Sequence, residues 1–319
     1  VAGGLALLGP DEPKERASTA PRPAGTPAPT GPSVGASTRG IGYRPRSIAV
    51  AGGAVWVLSF AARDLARLDP ETLEKAGPQP RIGKEAMSVA GRGRDLWVVI
   101  PRRGQVLRLD AASGRVGGRI TPPQTPVDVE LGADGAVWVT ARRPMNPYDP
   151  LRPHDLVLRY DRSGAERARI SVPLEVADIA PARDGIWISV NRKPQMQRFD
   201  ARGELIRTAK IETPAIEASY GARAAWGSTA TADAVARVPE RGSAVTTAVA
   251  PTPGEIAVAG GHAFVAATTD HVVYALDAET GAVDGEPLPA GRNPYAMASG
   301  AGHVYAAGKG DGSVTRIDP

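Results

Sequence analysis

The sequence predicts an all-β fold, a seven-bladed β-propeller with four-stranded blades, and two spacings carry that prediction. Trp56, Trp97, Trp138, Trp187 and Trp226, continued by Phe264 and Tyr305, recur at steps of 41, 41, 49, 39, 38 and 41 residues. After most of these aromatics an Asp follows an apolar or aromatic residue at a fixed distance: Leu68-Asp69, Leu109-Asp110, Phe199-Asp200 and Leu276-Asp277, with Tyr160-Asp161 displaced by an insertion. A period near 40 with an aromatic strand and a Gly or Asp turn in each copy is the signature of a propeller blade.

The first 32 residues stand outside the repeat. Val1 to Leu8 is small and apolar; the charged run Asp11, Glu12, Lys14, Glu15 and Arg16 follows, and then a stretch containing Pro21, Pro23, Pro27, Pro29 and Pro32. Proline at that density blocks helices and sheet ladders while holding the backbone extended, so residues 1–32 read as an apolar stub and a Pro-rich disordered linker. Eight apolar residues fall short of the roughly 20 that a membrane-spanning helix takes. An apolar stub, a charged stop and a Pro-rich stalk nevertheless come in the order found at a membrane exit. The expectation is therefore an extracytoplasmic propeller, secreted or membrane-anchored, with a tether N-terminal to residue 1.

The propeller is expected over 33–319. In each repeat the run before the aromatic is the innermost strand, as in Ser47-Ile48-Ala49-Val50 and Glu255-Ile256-Ala257-Val258. Turns such as Ala51-Gly52-Gly53 and Gly132-Ala133-Asp134-Gly135 supply the positive φ that a tight two-strand connection needs. The second strand carries the anchor (Val55-Trp56-Val57), whose bulk fits packing between neighbouring sheets. The third strand alternates, as in Leu65-Ala66-Arg67-Leu68, and ends in a turn such as Asp69-Pro70-Glu71-Thr72. The seventh repeat stops after its third strand at Asp318-Pro319, which leaves an open edge. Residues 33–40 (SVGASTRG) sit where other repeats keep their outer strand, so the ring is predicted to close by pairing the N-terminal and C-terminal strands.

Composition excludes some functions. There is no cysteine, so disulfides, thiolate metal sites and cysteine nucleophiles are out. Net charge is only +4, and the 38 basic residues are mostly Arg. They form no dense Lys/Arg stripe, so nucleic acid is not an expected partner.

Phrases such as Gly53-Ala54-Val55-Trp56-Val57, Gly135-Ala136-Val137-Trp138-Val139 and Val106-Leu107-Arg108-Leu109-Asp110 resemble the repeat of virginiamycin B lyase-like and YVTN/NHL-type propellers over residues 41–319. The stub, stalk and propeller together also resemble the extracellular sensor portion of some bacterial receptor-type Ser/Thr kinases, although no kinase motif is present. The lyase resemblance implies elimination chemistry on a cyclic depsipeptide, with a histidine base and Mg²⁺ near the centre of one face. The histidines available are His154, His262, His271 and His303, none in a recognisable His-x-Glu arrangement. Of these, His271 with Asp270 best fits a general base.

Two registers of charge point to a binding site. Loops between the second and third strands of successive blades carry Arg102-Arg103, Arg142-Arg143 and Arg192-Lys193, which would form a basic arc on one face. The middle loop holds the insertion Pro144 to His154, whose Tyr148 and Arg152 would reach over the same mouth. Deeper, Asp128, Asp178 and Glu217 stand where the other blades have Ile48, Met87, Ile256 and Met297. Three converging carboxylates would either bind a hard cation, Mg²⁺ or Ca²⁺, or pair with the arginines above them.

The leading expectation is thus a non-enzymatic ligand- or protein-binding propeller, a sensor or scaffold that takes an anionic ligand, a cell-wall component or a protein on its basic loop face. The alternatives are a metal-dependent lyase of the virginiamycin B lyase type and a structural or oligomerisation module of a larger receptor.

Overall fold

The computed structural model describes residues 31–60, 62–143, 155–229 and 231–319. Over these residues the chain forms seven antiparallel sheets, each built of sequence neighbours except the last. The innermost strands are Pro45–Ala51, Val89–Arg92, Thr125–Leu131, Val176–Ala182, Glu217–Gly221, Pro253–Ala259 and Pro294–Gly300, in blades 1 to 7. Each contacts the next, and the strand of blade 7 contacts that of blade 1, so the sheets close into a ring.

Closure follows the predicted route. Ser33–Thr38 is the outer strand of blade 7 and pairs antiparallel with Ser313–Asp318, Ser33 facing Asp318 and Thr38 facing Val314. Ile41 adds a backbone bond to Gly312 at 2.9 Å. The N-terminal strand thereby satisfies the donors and acceptors that the last strand would otherwise expose.

The anchors are the largest fully buried side chains: Trp56, Trp97, Trp138, Trp187, Trp226, Phe264 and Tyr305. They sit in clusters that mix residues of adjacent blades, as Trp97 does with Val129 and Val139 of blade 3. An Arg lies directly across the ladder from six of the seven: Arg67, Arg108, Arg159, Arg198, Arg237 and Arg316. Four of these guanidinium groups stand 5.6–6.0 Å from the indole they face. The arginine excess is therefore partly a packing device, since the flat cation lies on the ring and caps it against solvent.

Turn chemistry sets the register. Gly52 and Gly53 carry φ of 60° and 66° between the first two strands of blade 1, a region that L side chains avoid. The repeating Asp closes the turn to the outer strand: Asp69, Asp110, Asp161, Asp200 and Asp277 each accept backbone N–H bonds through Oδ1 from residues two to four positions on. All five carboxyls lie below the ordinary aspartate range, held there chiefly by the backbone donors at Asp69, Asp110 and Asp200 and by the Ser163 and Thr280 hydroxyls at Asp161 and Asp277.

Blade 1 departs from four regular strands. Its sheet has three, Pro45–Ala51, Ala54–Ser59 and Ala66–Leu68. The segment in the outer position makes only the isolated bridges Leu68 to Lys75 and Asp64 to Arg81. Pro78 and Pro80 lie between these bridges and lack the N–H that a ladder needs.

Candidate functional site

The seven innermost strands line a channel of about 690 Å³. Side-chain direction in it follows from strand pairing. Opposite the anchors stand Ala49, Ala90, Glu130, Ala180, Ser219, Ala257 and Ala298. Two residues earlier, on the same face of each strand, come Ser47, Ser88, Asp128, Asp178, Glu217, Glu255 and Ala296.

This corrects the sequence alignment of the acids. Asp128, Asp178 and Glu217 do share a level, but their equivalents are Ser47, Ser88, Glu255 and Ala296, not Ile48, Met87, Ile256 and Met297. A slip of one residue turns a side chain to the other face of the sheet. Innermost strands are bulged at this end, with register shifts between Pro45 and Ser47, Val176 and Asp178, Pro253 and Ile256, and Pro294 and Ala296. The extra residue defeats simple counting, and it hid Glu255. The acidic run therefore spans four consecutive blades, with Glu130 two residues further along the strand of Asp128.

Each of the four acids at the shared level is tied to an adjacent blade or across the channel. Asp128 accepts from Ser88 Oγ at 2.7 Å, Asp178 from the Ala218 N–H at 2.6 Å and Glu255 from the Met297 N–H at 2.7 Å. Glu217 accepts the Tyr295 hydroxyl at 2.5 Å. Burial nevertheless pushes all five carboxyls up, with mutual repulsion adding for Asp178, Glu217, Glu255 and Glu130; Glu130 is raised to about 8.

Two cations of the channel come from the other side of the ring. Arg46 and Lys309 enter from blades 1 and 7. Lys309 Nζ lies 2.8 Å from the centre of the Tyr295 ring. Burial pulls its ammonium down to about 8, while Glu255 and Glu217 act in the opposite sense. Arg46 is likewise lowered by burial.

The second-to-third-strand loops form a rim on this face, and Arg102, Arg103, Arg143, Arg192 and Lys193 are exposed there. Arg102 leans to Glu85 at 3.5 Å. Arg142 is not part of an exposed arc. It ends a strand whose alternation turns it inward, where it meets Asp155 at 3.2 Å, Glu175 at 3.0 Å and the Val176 carbonyl at 2.7 Å. Asp155 is almost wholly buried and also accepts the Val176 N–H at 2.9 Å. This cluster joins blade 3 to blade 4. Tyr148, Arg152 and His154 lie outside the described residues.

The described histidines are away from the channel wall. His262 Nε2 is 2.9 Å from Asp284, and His303 bridges Glu71 at 3.2 Å and Asp318 at 2.7 Å. His271 and Asp270 are both exposed on the loop of blade 6. His271 Nδ1 lies 3.2 Å from both the Asn293 N–H and the Thr268 carbonyl, and no hydrogen bond joins it to Asp270. Among the described residues no group of three or more His, Asp or Glu side chains is arranged to hold a metal ion, Asp128, Asp178 and Glu217 included. No helix among them is long and apolar enough to cross a membrane.

Neither known protein families nor curated proteins match this sequence. Solved structures match the fold closely. The catalytically inactive virginiamycin B lyase from Staphylococcus aureus with quinupristin superposes with a TM-score of 0.69 at 17% identity, over 89% of this chain and 98% of that one. A streptogramin B lyase gives 0.69 at 15%, over 90% and 96% of the two chains. Kuenenia stuttgartiensis hydrazine synthase gives 0.68 at 13%, over 88% and 97%. At such identities lyases and a synthase share one scaffold with this chain, which fixes architecture and leaves activity to the site. The chain has the seven-bladed propeller fold that these structures share.

Proposed function

We propose that this protein is a non-enzymatic binding propeller, acting outside the cytoplasm as a sensor or scaffold, whose ligand enters the channel from the face of the second-to-third-strand loops. The observation that carries this reading is the channel wall itself. Five carboxyls, Arg46, Lys309 and Tyr295 converge on a 690 Å³ space, while the described histidines stand outside it. Ionisable groups gathered in a concave site are what ligand recognition needs. The lyase alternative calls for a histidine base in particular, and none of the described histidines lines that space.

The exposed Arg102, Arg103, Arg192 and Lys193 favour an additional contact of the same face with an anionic cell-wall component or an acidic protein surface, because guanidinium groups pair with planar oxyanions. The order of apolar, charged and Pro-rich segments in residues 1–32 supports the extracytoplasmic placement.

Ligand-observed NMR with a panel of small cations, anions, zwitterions and cell-wall fragments tests the reading. Three proteins are compared: wild type, Ala177→Trp, which fills the mouth, and a rim variant with Arg102, Arg103, Arg192 and Lys193 changed to Glu. Channel ligands should lose binding to Ala177→Trp, and rim ligands to the charge-reversed protein. A panel whose hits bind all three proteins equally overturns the proposal.

A further inference from the structure

The two halves of the channel are chemically alike but unequally filled. On the side of blades 5 to 7 stand Glu217, Glu255 and Tyr295, with the Lys309 ammonium seated over the phenol ring at 2.8 Å and favoured by the charge of the two carboxylates. On the side of blades 3 and 4 stand Asp128, Glu130 and Asp178. The nearest guanidinium there, Arg142, is committed to Asp155 and Glu175. Among the described residues no ion pair joins a cation to Asp128, Glu130 or Asp178, and Arg142 reaches Asp128 only through its charge.

A separate observation marks the same place. Thr140 faces Asp128 across the ladder, lines the channel and is only 2% exposed, yet its Oγ1 has no hydrogen-bond partner. A buried hydroxyl left unpaired costs free energy unless something fills the site. The hydroxyl also belongs to a pattern. Position two after the anchor is Thr140, Ser189 and Ser228 in blades 3 to 5, each opposite an acid of the ring, and apolar in the remaining blades.

We infer that the blade 3–4 half of the channel is a binding site for an organic ammonium ion, with Asp128, Asp178 and Thr140 accepting its N–H donors. The inference rests on the channel reading above and names the ligand class. An –NH₃⁺ group presents three donors and no acceptor, which suits three oxygen acceptors on one wall. Asp128 accepts from Ser88 Oγ through Oδ1 and Asp178 from the Ala218 N–H through Oδ2. A divalent metal is a poorer match, because Mg²⁺ and Ca²⁺ take six or more oxygens and no such group is assembled among the described residues. Lys309 shows within the same chamber how an aromatic face receives an ammonium.

Calorimetric titration of the full chain with 1,5-diaminopentane, tetramethylammonium and Mg²⁺ tests the site. The diamine should bind, and tetramethylammonium, which has the charge but no N–H, should bind at least tenfold more weakly. Asp128→Asn with Asp178→Asn should weaken the diamine tenfold or more, and Thr140→Val about threefold. The double Asn variant keeps the shape and removes repulsion between two carboxylates, so it should fold; its melting temperature verifies this. Diamine binding unchanged in the double variant, or Mg²⁺ displacing the diamine competitively, overturns the inference. If the diamine fails to bind while other probes are still lost in Ala177→Trp, the ammonium class is wrong and the channel reading stands. If no probe is sensitive to Ala177→Trp, both fail.

Discussion

Tyr295 donates its hydroxyl to Glu217 over 2.5 Å, a bond that ties blade 7 to blade 5 across the channel. Burial and the neighbouring carboxylates raise the phenol well above its ordinary range, while the same bond lowers the Glu217 carboxyl against the upward pull of burial. The two strands are not ladder neighbours, so this contact braces the ring where backbone pairing does not reach.

Tyr295→Phe should therefore cost about 1.5–3 kcal/mol, the usual range for a hydrogen bond to a charged group. Losing the donor raises the folded-state pKa of Glu217 further. The variant then falls behind wild type as pH rises and Glu217 must ionise without its partner. Melting curves at pH 5 and pH 8 check this, and a gap that shrinks toward pH 8 contradicts it.

Glu130 predicts the pH dependence of the whole fold. Its carboxyl is pushed up to about 8 by burial and by Asp128. Between the ordinary glutamate range and pH 8 the folded state thus holds more protons than the unfolded one, and stability falls as pH rises. Asp128, Asp178, Glu217 and Glu255 act in the same sense. Lys309, lowered to about 8, opposes them only above that pH. Glu130→Gln should match wild type near pH 4.5 and exceed it by on the order of 5 kcal/mol near pH 9. Equal slopes in urea-derived stability against pH would refute this.

Deleting Ser33–Thr38 should lower the melting temperature by more than about 10 °C and broaden the transition. Six residues of ladder are lost, and the Ser313–Asp318 strand becomes an exposed edge. A sharp transition at the wild-type temperature would mean that the ring closes without them.

How far the sequence was legible follows the physics of each signal. The anchors, the Asp turns and the closure by residues 33–40 could be read directly, because burial of a large ring and the Asx turn leave a fixed residue type at a fixed spacing. The acids of the channel were half legible. Asp128, Asp178 and Glu217 stood out, but bulges break the period-2 count, so Glu255 was taken for the wrong face. Arg46, Tyr295 and Lys309 were missed because they come from bulged strand starts and one loop, where no repeat position marks them. The hydroxyls at the second position after the anchor, Thr140, Ser189 and Ser228, were a usable signal, since they fall only in blades that carry an acid.

Arg142 and Lys193 separate two kinds of rim residue that look alike in sequence. Both follow a second strand, but Arg142 ends its strand facing inward on Asp155, whose side chain is 2% exposed, whereas Lys193 is exposed in the turn after Val190. Arg142→Glu places a third carboxylate beside Asp155 and Glu175 and removes the donor to the Val176 carbonyl. Breaking a buried pair from one side leaves an uncompensated charge, and a cost of about 3 kcal/mol is expected for this half-exposed arginine. Lys193→Glu should stay within about 0.5 kcal/mol, as exposed substitutions do. Chemical denaturation of the two variants checks the contrast, and Arg142→Asn with Asp155→Asn should recover part of the loss by removing both charges. If Arg142→Glu proves as mild as Lys193→Glu, the inward cluster does not hold blades 3 and 4 together, and Arg142 returns to the exposed rim.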